Sequence, residues 1–157
     1  MANKNLKYFM REDSKQEQIF QFPAPKRFVD EKGEVVQMEV KKLHNETINN
    51  INNMYKSRTP MKDKKGNYIV QNGEVVFKAE KDNVKATRHM IVEALVYPDL
   101  KDPELMKYYG CLDITDMPLK VFPDNDELGY VTRKVLEILG MMDADESNER
   151  EVEDAKN

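Results

Sequence analysis

The sequence predicts an α+β fold: a mainly α-helical single domain with two short N-terminal-side β-hairpins and a disordered acidic C-terminal tail. Three observations carry this reading. Apolar residues recur at steps of three and four through several stretches after His44. Before Lys78, two stretches alternate or run apolar around strong turn signals. From Met141 to Asn157 there are seven acids against two bases and almost no apolar residue after Met142, the composition of a solvated tail.

Taken in order, residues 1–25 read as an extended N-terminal arm. Pro23-Ala24-Pro25 cannot continue a helix and favours extended backbone. Its apolar residues (Tyr8, Phe9, Met10, Ile19, Phe20, Phe22) are free to pack on the body or on a partner. Residues 26–142 form the domain. Arg27 to Val40 reads as a hairpin turning at Asp30-Glu31-Lys32-Gly33, with Val36, Met38 and Val40 alternating with Gln37 and Glu39. A second hairpin is centred on Asn72-Gly73, a type I′ turn signal between Tyr68-Ile69-Val70 and Val75-Val76-Phe77. Ile48, Ile51 and Tyr55 share a helical face, although five asparagines weaken that segment. A helix over Val84–Tyr97, with Val84, Ile91 and Leu95 on one face, ends at Pro98. Asp102-Pro103 starts a short helix that Gly110 stops. Thr115 or Asp116 caps another turn through Val121. Asp124 caps a last helix whose face is Leu128, Val131, Val135, Ile138 and Met142, with Gly140 as its stop. Residues 143–157 are the acidic tail.

Composition excludes several classes. The chain has 157 residues, 39% hydrophobic and 34% charged, enough for one domain with a core. No apolar run is long enough for a membrane span, and the first residues lack a signal-peptide pattern. Cys111 is the one cysteine, so an internal disulfide and a multi-thiolate metal site are excluded, in keeping with a reducing cytoplasm. The net charge is −4, and residues 141–157 carry −5, which leaves a nearly neutral body unlike a nucleic-acid-binding domain.

Several of these features, in this order, resemble the XkdN-like tail assembly chaperones of tailed phages and phage-derived tail particles. The likeness begins at Lys26-Arg27-Phe28 followed by the Asp30–Gly33 turn, with Pro25 where the family commonly has serine. It is strongest over Val96-Tyr97-Pro98-Asp99-Leu100 through Glu104-Leu105 to Tyr109-Gly110. Pro118-Leu119-Lys120-Val121-Phe122-Pro123 and the helix ending at Gly140 continue it, while Asp124-Asn125-Asp126 departs from the family's Gly-Glu-Tyr. The resemblance implies a binding protein of the bacterial host cytoplasm that holds the tape measure protein soluble, helps recruit the tail tube protein that polymerises around it, and is absent from the finished tail. It also implies possible partners in a longer frameshifted version of the chain and in further copies of it. The alternatives are a structural adaptor retained in the tail and a small enzyme built on acids and Cys111.

The candidate client-binding residues are Met106, Tyr108, Tyr109, Met117, Leu119 and Phe122, an apolar cluster in short helices around two prolines. Methionine, ten of 157, suits surfaces that repack around varied clients, and equally fills cores. No catalytic, cofactor-binding or metal site is predicted. His44 and His89 lie on different predicted helices, and nothing pairs either with Cys111, which reads as a small buried residue. Asp124 to Gly129 begins like a calcium loop, but position twelve is Val135 where a bidentate glutamate is needed. Asp99, Asp102 and Asp116 are explained as turn and cap residues.

Overall fold

The computed structural model describes residues 4–10 and 17–142, so the tail expected over 143–157 lies outside the described residues. Leu6–Phe9 make a single 3-10 turn, capped by the Asn5 side chain, which accepts from the Lys7 amide at 3.0 Å. The next element belongs to a sheet. Ile19–Pro23 is strand β1, paired antiparallel with β2 (Gln37–Lys41) so that Phe22 stands opposite Met38 and Phe20 opposite Val40. Phe22 and Ala24 are buried, so the arm expected over residues 1–25 merges into the domain at β1. β2 pairs on its other side with β7 (Leu95–Tyr97), giving an antiparallel sheet of order β1-β2-β7.

This sheet corrects the first expected hairpin. The turn forms: the Asp30 carboxylate accepts from the amides of Lys32 and Glu34, and Val29 bridges Val35. The alternation is also right, with Met38 and Val40 buried between Gln37 and Glu39. The partners of β2, however, come from before and far after it in sequence. A period-two pattern fixes which side chains turn inward and says nothing about the neighbouring strand.

α1 (Asn45–Met54) buries Ile51 and half-buries Ile48, as its spacing predicts. α2 (Asn83–Ala94) is capped by Asp82 through the Lys85 amide and buries Ala86, His89, Met90, Ile91, Val92 and Ala94. It differs from the expected Val84–Tyr97 in two ways. Val84 is exposed, and the last three residues leave the helix to become β7. Tyr97 precedes Pro98, which disfavours helical backbone there, and pairing with β2 satisfies the released peptide groups. α3 (Pro103–Tyr109) has the predicted Asp102 cap, whose carboxylate accepts from the Glu104 and Leu105 amides. Both α3 and α5 (Asn125–Ile138) end in a Schellman motif. Gly110 and Gly140 take left-handed φ of 61° and 75°, and the Cys111 and Met141 amides reach back to Met106 and Leu136. The short turn between them is capped differently from expectation. Asp113 caps a 3-10 turn, Ile114–Asp116, which runs into α4 (Met117–Val121). Asp124 occupies the cap position of α5 but makes no side-chain cap bond.

The core lies between the three-stranded sheet and helices α2, α4 and α5. Met38 and Val40 share one buried cluster with Ile91, Val92, Met117, Val131 and Val135. Arg27 and Phe28 lock this packing from outside. The Arg27 guanidinium holds both Glu127 carboxylate oxygens at 2.8 and 2.9 Å and the Val121 carbonyl at 2.8 Å. The Phe28 ring meets Phe122 edge-on at 5.7 Å. The Tyr130 hydroxyl donates to the Pro23 carbonyl and ties β1 to α5.

The remaining strands form an arm inserted between α1 and α2. β3 (Lys56–Pro60) pairs antiparallel with β6 (Phe77–Lys81), and at the tip β4 (Val70–Gln71) pairs with β5 (Glu74–Val75). The predicted Asn72-Gly73 turn is present, with φ of 52° and 79°, the signs of type I′. Lys56–Pro60 had no strand signature in sequence. All of residues 56–81 except Ile69 and Val76 are exposed. The described chain is thus a mixed α+β domain with three small sheets beside five α-helices.

Candidate functional site

An open cleft of about 630 Å³ lies between β7 and α3. The chain builds it by turning sharply at Pro98-Asp99, where the Asp99 carboxylate accepts from the Lys101 amide, and by starting α3 at the Asp102 cap. Val96, Tyr97, Pro98, Leu105 and Tyr108 supply apolar walls, and Asp99, Asp102 and Glu104 an acidic rim. Tyr108 is 80% exposed and Tyr97 51% exposed, a large amount of aromatic surface left in water. β7 is an edge strand, so its outer side offers backbone groups for pairing.

A smaller hollow of about 240 Å³ adjoins this cleft through Tyr97, Pro98 and Leu105. It runs inward past Phe28, Val36 and Tyr109 to Phe122. A third groove of about 310 Å³ lies elsewhere, over α2 and α5, lined by Val84, Arg88, Ile91, Leu119 and Leu128.

The six residues expected to contact a client are therefore not one patch. Tyr108 lines the main cleft, and its ring packs edge-on against Tyr109 at 4.9 Å. Tyr109 and Phe122 line the inner hollow, Phe122 as a core residue only 2% exposed. Leu119 faces the separate groove over α2 and α5. Met106 is half-buried against the core, and Met117 is completely buried. Five-residue α4 carries Met117 and Val121 inward and Leu119 outward, because helical spacing separates neighbouring positions by about 100°. Tyr97, Leu105 and Val96 were missed as surface residues. The signal was available in Tyr97-Pro98-Asp99-Leu100, whose proline-induced turn leaves the preceding tyrosine on an edge strand.

Polar groups near the site serve structure. Lys101 and His89 both approach Glu93, at 3.1 and 3.5 Å, and the Tyr55 hydroxyl lies 2.6 Å from His89 Nδ1. Burial raises the Tyr55 phenol above its ordinary value. The Cys111 thiol donates to the Asp113 carbonyl. Asp113 Oδ1 accepts from the amide and hydroxyl of buried Thr115, and these bonds hold its carboxyl below the usual range. Among the described residues, no three histidine, cysteine or acidic side chains gather as metal ligands would, and no helix is long and apolar enough to cross a membrane.

Fold and clefts together define a small α+β domain presenting apolar grooves and an exposed β-arm. Residues 6–156 match the family described as Phage XkdN-like tail assembly chaperone protein, and the chain belongs to that family. It is 28% identical over 162 residues to the Phage-like element PBSX protein XkdN of Bacillus subtilis, covering all of both chains. It is 30% identical over 139 residues to YqbN of the same organism, covering 88% of this chain and 86% of that one. The crystal structure of YqbN superposes with a TM-score of 0.68 at 23% identity, over 88% of this chain and 98% of that chain, a likeness of fold.

Proposed function

We propose that the chain binds the tape measure protein during tail assembly, keeps it soluble in the bacterial host cytoplasm, and gives it up as tail tube protein polymerises. The observation that carries this reading is the open, aromatic-walled β7–α3 cleft in a member of the tail assembly chaperone family. A long apolar helical client aggregates unless covered, and an amphipathic helix laid in an apolar groove is a reversible cover. Tyr108 and Tyr97 are the anchors, and the acidic rim favours a client helix with basic residues flanking its apolar stripe. Leu119 extends the contact only if the client reaches the groove over α2 and α5. The complex is released, so the protein is absent from finished tails. A longer frameshifted form and further copies of the chain are compatible partners in that cycle.

Co-expression with the tape measure protein, followed by pulldown and a solubility assay, tests this. The wild-type chain is expected to co-purify with a soluble client. Tyr97→Thr combined with Tyr108→Ser, both at exposed positions, is expected to lower recovery about tenfold with a nearly unchanged unfolding midpoint. Full recovery by the double variant removes the cleft from the interface. An insoluble client beside a chain that elutes alone removes the reading itself. Stoichiometric retention in purified tails establishes the adaptor role instead.

A further inference from the structure

We infer that one face of the β-arm is a docking surface for an acidic peptide, and that its occupant is the chain's own C-terminal segment, residues 143–157. Residues 56–81 carry seven bases against three acids, a net of +4. The pairing register sorts these charges by face. Lys56 stands directly opposite Lys81, Arg58 opposite Ala79, and Pro60 opposite Phe77, so these six share one face. Ser57, Glu80, Thr59 and Lys78 share the other, where Lys78 pairs with Glu80 at 3.9 Å.

The second face balances itself. The first does not: it presents three cations and no acid, and a directly opposed like-charge pair weakens a two-stranded ribbon. Among the described residues, Lys56, Arg58 and Lys81 enter no ion pair. Arg58 lies over the half-exposed Phe77 ring at 5.1 Å, which holds its guanidinium on the surface. Every hydrogen bond, ion pair and ring contact made by the described residues of the arm stays within it, apart from its base at Tyr55 and Asp82. Among the described residues, nothing pairs with this cationic face.

The chain itself supplies the matching charge. Residues 143–157 hold seven acids and two bases, a net of −5. Fifteen residues reach roughly 50 Å when extended, well beyond the radius of about 14 Å expected for a domain of this size, so length does not keep the two apart. Tethering presents the segment at an effective concentration in the millimolar range, more than a free acidic competitor normally attains. A nucleic acid would meet the same cations, but it would first have to approach a chain of net charge −4 and displace the tethered acids.

The test uses the full-length chain and backbone amide NMR of residues 56–60 and 77–81. Glu149→Gln, Glu151→Gln and Glu153→Gln in one chain remove three acids without shortening it. The arm resonances are expected to move relative to wild type at low salt, and the difference to shrink severalfold at about 0.5 M salt, where the Debye length is only a few ångströms. Lys56→Glu, Arg58→Glu and Lys81→Glu should abolish the wild-type contact, and adding Glu149→Lys, Glu151→Lys and Glu153→Lys should restore it. These positions are exposed or lie in the segment, so folding is monitored through the resonances of Val92 and Val131. Arm shifts that are identical with and without the three acids overturn the proposal. Shifts that scale with protein concentration transfer the contact to a second copy and overturn the intramolecular assignment. Arm shifts produced by a short oligonucleotide, with no effect of the three acids, assign the face to nucleic acid.

Discussion

Arg27 shows how one side chain holds together elements that are far apart in sequence. Its Nε–H is shared between both Glu127 carboxylate oxygens in the first turn of α5, a second nitrogen donates to the last carbonyl of α4, and the guanidinium carbon lies 4.1 Å from the Phe28 ring centre. Such bonds to charged groups contribute more than neutral ones. Arg27 is half exposed, so solvent screens part of the interaction. Arg27→Ala is expected to cost about 2 kcal/mol in a urea titration with the slope unchanged; a loss under about 0.5 kcal/mol would mean the Glu127 and Val121 contacts contribute no more than an ordinary surface pair. Lysine at this position keeps the charge but cannot place separate planar N–H groups on Glu127 and the Val121 carbonyl, so Arg27→Lys should recover only part of the loss.

Asp113 carries a pH signature at the same scale. Its carboxyl is held below the ordinary value of 3.8 by the amide and hydroxyl of Thr115, with the Lys85 ammonium adding to them. A carboxylate with a depressed folded value stabilises fully above its unfolded value, and that contribution fades as pH falls through the folded one. The difference in stability between wild type and Asp113→Asn should therefore be constant near neutrality and shrink below about pH 4. A difference that stays flat down to about pH 2 would show that Thr115 does not distinguish the charged from the neutral group.

At the scale of elements, the arm and the body contrast. α2 and β2 are stabilised by burial, with Val40, Val92 and Ala94 removed from water. The arm buries almost nothing and relies on its hairpin bonds, the Asn72-Gly73 turn, and an Asp63 turn that repeats the Asp30 design. Regions with exposed hydrogen bonds and little buried apolar surface open first. Amide exchange at Ser57 and Thr59 should report opening roughly 2 kcal/mol or more easier than at Val92. Equal protection at both would mean that the arm is covered in solution over its whole length. Such coverage would exceed the single-face contact inferred for residues 143–157.

Across the whole molecule, the topology creates the recognition surface. β7 joins the sheet only because α2 ends three residues earlier than its apolar spacing predicts, and this places Tyr97 on an edge beside α3. The β7–α3 cleft exists because that strand and that helix diverge at Pro98-Asp99. Charge is also divided at this scale, with an acidic rim on the cleft and a basic face on the arm, on opposite sides of the α2 segment in sequence. A client with basic flanks and an acidic peptide would therefore bind different surfaces, and mutations in one should leave the other unaffected.

Local chemistry made much of this molecule legible from residues alone. Caps and turns depend on neighbours in the chain, so Asp102-Pro103, Gly110, Asn72-Gly73 and Gly140 announced their geometry without any tertiary information. Helical spacing likewise identified Ile51, Val131 and Val135 as inward residues. The Arg27-Phe28 and Tyr97–Leu100 motifs carry the family resemblance in the sequence itself. Only the tertiary structure decided which strand lies beside β2, that Lys56–Pro60 extends the arm, and that Met117 and Phe122 are core while Tyr108 faces water. Each of these depends on partners distant in sequence. Polar Lys56–Pro60 has no periodicity to display, and an apolar residue in a short helix gains its inside or outside position only when other elements pack against it.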